Sequence, residues 1–250
     1  MENLVSECDM IFLTVPDGSI KSVWKSISGL DVRGKLICHC SGAMSSEEAF
    51  EGIEKTGAFG YSVHPLFAVS DKYKVYRELT GVFFTLEGSG KNVERQNNCQ
   101  EENFFRDKNL LLIEEMLSAM GNPTRVVEPD KKMKYHCGAA VASNLVCGLV
   151  DMSVELFCDC GFSREEAVKA LAPILVGNMS HVAEKGPEAS LTGAVERNDV
   201  GTVGKHLECL EEETDRELYS LLSERLVKLA LRKHPARDYS EMRKILGKDE

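Results

Sequence analysis

The side chains best suited to chemistry fall in two places. The first is the stretch Lys131 to Asn144, KKMKYHCGAAVASN. In a helix turning about 100° per residue, Lys132, His136 and Ser143 lie within roughly 40° of one another. One face then carries a cation, a titratable imidazole and a hydroxyl, groups that can polarise a carbonyl, pass a proton and donate a hydrogen bond. Ala139 and Ala140 sit between them and leave room for something other than protein, and Tyr135 and Asn144 flank the face. The competing explanation is structural. Small residues also let helices pack closely, and a single buried histidine is ordinarily a hydrogen-bonded core residue.

The second place is a set of polar and turn-forming residues that follow short apolar runs: Thr14, Pro16 and Asp17, then His39, Ser41 and Gly42, then His64. If the runs are parallel strands, these residues stand at their carboxyl ends, where open α/β sheets bind ligands. Turn residues end strands in any case, so position alone does not separate the two explanations.

The elements that must carry these groups follow from the hydrophobic pattern. Residues 2–7 read as a turn of helix. Asp9–Val15, Leu36–Cys40, Phe59–Val63, Gly81–Leu86 and 125–127 read as strands, the first nearly continuously apolar as in a sheet covered on both faces. Helices are expected at 19–27 with Asp17 as its cap, from Ser45 to about Lys55 with a Ser45/Glu48 capping box, and at 104–120. Residues 88–103, GSGKNVERQNNCQEEN, have no apolar period and read as a surface insertion. Beyond Pro129 the strand rhythm stops. Helices are expected at 130–159, at 164–184 behind a Ser163/Glu166 capping box, over 200–232 in two pieces, and at 239–247. The fold class is therefore α/β, a partial doubly wound, Rossmann-like sheet over residues 1–128, followed by an all-helical domain over 129–250.

Composition narrows the function classes. A net charge of −10 argues against a nucleic-acid partner. No run of 18 apolar residues lacks a polar break, so no membrane span is expected, and MENLVSECDM lacks the pattern of a signal peptide. Nine cysteines, most in apolar runs, fit a reducing cytoplasm better than a disulfide framework. Cys38-x-Cys40 and Cys158-x-Cys160 are spaced too tightly for a usual zinc site, so no metal is expected.

Several motifs in order carry a resemblance: TVPD at 14–17, HCSGAMSS at 39–46, GYSVHPLFAVSD at 60–71, YH at 135–136, SNLVCGLVD at 143–151 and LTGAVERNDVGTVGKHLE at 191–208. Over nearly its whole length the chain resembles the Rossmann-like proteins whose C-terminal half is the domain of unknown function 2520. These are similar in layout to pyrroline-5-carboxylate reductase, ketopantoate reductase and the β-hydroxyacid dehydrogenases. The resemblance implies NADP or NAD as cofactor, a small-molecule substrate and a homodimer formed mainly through the helical half, residues 164–232. It places the nicotinamide near Pro16, Asp17, His39, Ser41 and Gly42. The β-hydroxyacid dehydrogenases use a lysine with an asparagine four residues on, so the resemblance makes Lys132 the group that polarises the substrate carbonyl or passes its proton, and His136, in the asparagine position, a second proton donor or an orienter. Ser143 or Asn144 becomes a hydrogen-bond donor to the substrate, and His64 is placed to approach the same cleft from the third strand.

Two departures stand out. Ala194 occupies a position where proline is expected. No glycine-rich turn precedes Met10, so the chain is expected to lack the leading βαβ unit that holds the cofactor's pyrophosphate. Its affinity for NADPH should then be weaker than about 100 μM, since each lost charge-assisted hydrogen bond costs about 1.5–3 kcal/mol. Two functions stay open: an NAD(P)-dependent oxidoreductase of a small carbonyl or hydroxy acid, N-terminally truncated, or a non-catalytic binding or dimerisation module derived from one.

Overall fold

The computed structural model describes residues 1–69, 77–88 and 107–247, and the insertion expected at 88–103 falls, apart from Gly88, outside them. Five strands form one sheet in the order β1-β2-β3-β4-β5: Met10–Leu13, Leu36–His39, Phe59–Pro65, Phe84–Gly88 and Thr124–Val126. β1, β2 and β3 are parallel, β4 runs antiparallel to β3, and β5 is parallel to β4.

Side chains alternate across a sheet, and the register decides which of them share a face. Leu13, His39, Ser62 and Glu87 form one row across four strands, with Ile11, Ile37 and Gly60 in a second row on the same side. The apolar row is covered by α2 (Asp17–Ile27) and α3 (Ser46–Ala49), which bring Ile20, Trp24, Ile27, Ala49 and Phe50 against it. Cys38, Tyr61, Val63 and Leu86 point the other way and pack on Leu110, Ile113 and Leu117 of α4 (Lys108–Ala119). β1 is an edge strand, and Phe12 on it is 37% exposed.

Three local expectations change. Asp17 does not cap α2 but lies in its first turn, where its carboxylate is taken by Ser41. The helix begun by Ser45, whose hydroxyl accepts from the Glu48 N–H, ends at Ala49. Gly52, at φ 80°, then turns the chain into a 3₁₀ turn at Ile53–Lys55. The single helix expected over 130–159 is two, α5 (Lys132–Ala142) and α6 (Asn144–Asp159), broken at Ser143 with φ −123° and ψ −81°. Ser143 Oγ bonds the Ala139 carbonyl, a back-bond that bends helices. Pro129–Asp159 has the length and mean hydropathy, 1.5, of a membrane span by composition. The break leaves α6 as the longer piece, 16 residues or about 24 Å, short of the roughly 30 Å hydrocarbon core.

The chain forms two compact units, Met1–Val146 and Cys147–Glu250, so α5 belongs to the unit that contains the sheet. The second unit is helical: the rest of α6, α7 (Arg164–Ser190), α8 (Val200–Cys209), α9 (Glu213–Lys233) and α10 (Ser240–Ile245). Its α7 starts on the expected Ser163/Glu166 capping box and is interrupted at Gly186, φ 78°, just before Pro187. Val203, Val227, Ala230, Tyr239, Met242 and Leu246 form one core, and Val154, Ala167 and Leu171 another. The LTGAVERND motif ties this unit together. The Glu196 carboxylate meets His234 Nε2 at 2.5 Å, its carbonyl accepts from Tyr239 Oη at 2.7 Å, and Asp199 caps α8. Ala194 packs at the edge of the first core.

Candidate functional site

The site grows from the polar row His39–Ser62–Glu87. A sheet face roofed by helices is apolar by default, so three polar side chains in register there require partners. All three are buried. Lys132 comes down from the first turn of α5 and meets the row: Nζ donates to Ser62 Oγ and lies 3.7 Å from Glu87 Oε2. Ser62 Oγ in turn donates to the Ser41 carbonyl at 3.2 Å. Glu87 accepts from the Ser46 N–H and hydroxyl, both at 2.7 Å, at the start of α3. Ser41 Oγ donates to Asp17 Oδ2 at 2.6 Å and accepts from the N–H groups of Ala43 and Met44. One network thus runs from Asp17 through Ser41, Ser62 and Lys132 to Glu87 and Ser46, joining the starts of α2, α3 and α5 to the middle of the sheet.

Around Gly42 lies a second group. His64, at the end of β3, shares a 2.9 Å hydrogen bond from Nδ1 to Tyr135 Oη, and the two rings meet edge to face. A Cβ on Gly42 would stand 2.7 Å from His64 Nε2 and 2.9 Å from His136 Cδ2. A side chain here would have to displace the His64 or His136 ring, so the close approach favours glycine. His64, Tyr135 and His136 are half-buried and form the more open side of the cluster.

Burial and charge set the protonation states. Lys132 is 3% exposed. Desolvation pulls its pKa down to about 8, and Glu87 and then Asp17 oppose that fall. Burial, then the Lys132 ammonium, lowers His39 to about 4, and the same two causes in the same order lower His64 to about 4. Both imidazoles are neutral at pH 7. His39 Nδ1 accepts from the Ser41 N–H, which puts its proton on Nε2. Burial raises the Cys40 thiol and the Tyr135 phenol. At neutral pH the cluster therefore holds the buried Lys132 cation beside neutral His39 and His64.

The structure therefore brings Lys132 and His136 together with His39, Ser41, Gly42, His64 and Asp17. Pro16 and Asp17 are exposed at the start of α2, whereas His39 lies fully covered under the edge of Phe50. Ser143 and Asn144 are exposed at the break after α5. Lys132, placed by sequence on a helix face with room for a ligand, is buried and paired, because β4 places Glu87 beneath it. Ser62, Glu87 and Ser46 were missed. The available signal was a glutamate in an otherwise apolar strand, FTLEG, which demands a buried partner.

Residues 104–226 match the family model described as domain of unknown function (DUF2520). The matched stretch, just under half of the chain, takes in α4 to α8 and part of α9, with Lys132, Tyr135 and His136. No curated protein matches the chain. Among solved structures it is similar to protein TM1727 from Thermotoga maritima, at 25% identity and a TM-score of 0.70 over 90% of this chain and 80% of that one. It is similar to BF3122 from Bacteroides fragilis, provisionally named an NADP oxidoreductase, at 17% identity and 0.61 over 88% and 76%. It is also similar to a 1-pyrroline-5-carboxylate reductase from Streptococcus pyogenes, at 10% identity and 0.53 over 92% and 78%. The fold is Rossmann-like, a five-stranded sheet with flanking helices followed by a helical region.

The strand ends suit one part of a nicotinamide cofactor and not another. Ser41, Gly42 and the Asp17 carboxylate offer polar and anionic groups compatible with an amide-bearing, cationic ring. The first turn of α2 carries Asp17, whose charge opposes a phosphate at that helix N-terminus.

Proposed function

We propose that the protein is an NAD(P)-dependent oxidoreductase acting on a small carbonyl compound or hydroxy acid, with Lys132 as the group that handles the substrate's proton. The observation that carries this reading is a buried lysine, its pKa brought to about 8, at the strand ends of a reductase-like sheet. A pKa near the working pH is what a proton-transfer group requires. A bound nicotinamide supplies or accepts hydride; Pro16, Asp17, Ser41 and Gly42 are the residues that would hold its ring.

In the reduction direction, Lys132 Nζ donates a hydrogen bond and then a proton to the substrate oxygen. Burial lets the amine stay neutral until it is reprotonated. Ser62 orients Nζ by accepting one of its hydrogens. His64, neutral and bonded to Tyr135, and His136 beside it bound the open side and would contact the substrate. Substrate reaches Lys132 only where these three rings admit it. Ser143 and Asn144 serve as substrate donors only if α5 and its break approach that side in the complex.

We place the protein in the cytoplasm as a homodimer. Ile174, Val176 and Met179 on α7 and Leu221 and Leu222 on α9 are exposed apolar side chains that a second copy would cover. The function is tested by mixing the full chain with NADPH or NADH and a panel of small 2-oxo acids, hydroxy acids and cyclic imines, following nicotinamide absorbance. Turnover by wild type that falls about 10²–10⁴-fold in Lys132→Met supports the reading. Absence of both nicotinamide binding and turnover puts the non-catalytic binding or dimerisation module in its place.

A further inference from the structure

We propose that Glu87 is a positioning residue for Lys132: its carboxylate fixes both the ammonium group and, through Ser46, the first turn of α3 over one point of the sheet. The proposal rests on the reading of Lys132 as the proton-handling group.

Geometry carries it. Glu87 sits opposite Ser62 in the β3–β4 register, on the roofed face, 2% exposed. Its two oxygens are each bonded by Ser46 at 2.7 Å, one by the backbone N–H and one by the hydroxyl. Those two bonds lock the carboxylate's orientation. Lys132 Nζ then meets a charge of fixed direction at 3.7 Å, and among the described residues no other carboxylate pairs with it.

The other titratable and charged groups near Lys132 are Asp17 from α2, His39 on β2 with Cys40 after it, His64 from β3, and His136 on its own helix. His39 and His64 are neutral at pH 7, and burial holds the Cys40 thiol neutral as well. Asp17 is engaged by Ser41. Glu87 is therefore the main group that keeps a desolvated lysine charged. An opposite charge within about 4–6 Å moves a pKa by roughly one to three units in favour of the charged form.

The test is the titration of Lys132 itself in the full chain labelled with ¹³C-lysine, with the Lys132 ε-carbon resonance assigned by its loss in Lys132→Gln. Glu87→Gln keeps the shape and an acceptor for Ser46 and removes the charge. The midpoint should fall by at least about one pH unit, leaving about half or more of Lys132 neutral at pH 7. The pH profile of any turnover should move with it. A folded Glu87→Gln protein whose Lys132 titrates as in wild type overturns the proposal. If Glu87→Gln does not fold, Glu87→Asp is titrated, since it keeps the charge but draws it back. A smaller fall supports the proposal and an unchanged midpoint overturns it. The titration uses no substrate. Failure of the oxidoreductase reading would appear separately, as wild type without turnover or Lys132→Met with full turnover.

Discussion

Replacing Lys132 by methionine should destabilise the sheet-containing unit by about 3 kcal/mol. The substitution keeps the length of the side chain and removes the charge, so packing changes little. At 3.7 Å and an effective dielectric near 20, the attraction to Glu87 is about 4 kcal/mol. The lysine's own desolvation outweighs that attraction, as its lowered pKa shows, so the loss comes from the partner left behind. What remains is a carboxylate, 2% exposed, without its cation. Breaking one side of a buried pair typically costs about 3–5 kcal/mol, and Ser46 still donates two hydrogen bonds, which favours the lower end. An exposed lysine would lose less than about 1 kcal/mol. Urea unfolding followed by fluorescence reads the difference. The one tryptophan, Trp24, is 4% exposed in the core against the sheet, with Nε1 bonded to the Glu51 carbonyl. The double variant Lys132→Met/Glu87→Gln should recover most of the loss, because an ion pair replaced on both sides is often neutral. The pH dependence adds a sign. Between about 8 and 10.5 the unfolded chain keeps a proton on Lys132 that the folded protein has released. The unfolded state binds more protons there, so wild-type stability should rise with pH relative to Lys132→Met across that window. A loss under about 1 kcal/mol, or no recovery in the double variant, would refute the buried-pair account.

Gly42→Ala should cost about 1–3 kcal/mol and break the His64–Tyr135 contact, since its Cβ would lie 2.7 Å from His64 Nε2; the Tyr135 ring resonances in an NMR spectrum check the contact. His39 and His64 are held near 4 in the folded protein against 6.5 unfolded, so the unfolded chain binds more protons between those values. Stability should therefore fall as pH drops through that range, and His64→Gln should flatten the slope seen in acid titration of Trp24 fluorescence. Light scattering at tens of micromolar should report a dimer, and Ile174→Glu with Val176→Glu should yield monomer; a monomeric wild type removes the homodimer proposal.

The sheet and its helices were legible because each strand is a short apolar run closed by a turn, and burial on both faces writes itself into hydrophobicity. Lys132 and His136 could be paired from helical phase alone, and His64 from its place before Pro65. The break at Ser143 was not legible: VASNLV continues an apolar helical period, and only the backbone geometry and the Ser143 back-bond show the turn. Ser143 and Asn144 stand at that break, exposed, and not on a continuous helical face with Lys132 and His136. Nor could sequence show that Lys132 is buried. That depends on β4 running antiparallel to β3, which sets Glu87 across from Ser62 and under the first turn of α5. Register over the 24 residues of intervening chain between Ser62 and Glu87 is a property of strand pairing and packing, and no local pattern specifies it. Sequence by itself determined which residue types could do chemistry and on which elements they lie; tertiary structure decided which of them meet, and turned a lysine read as free into one half of a buried pair.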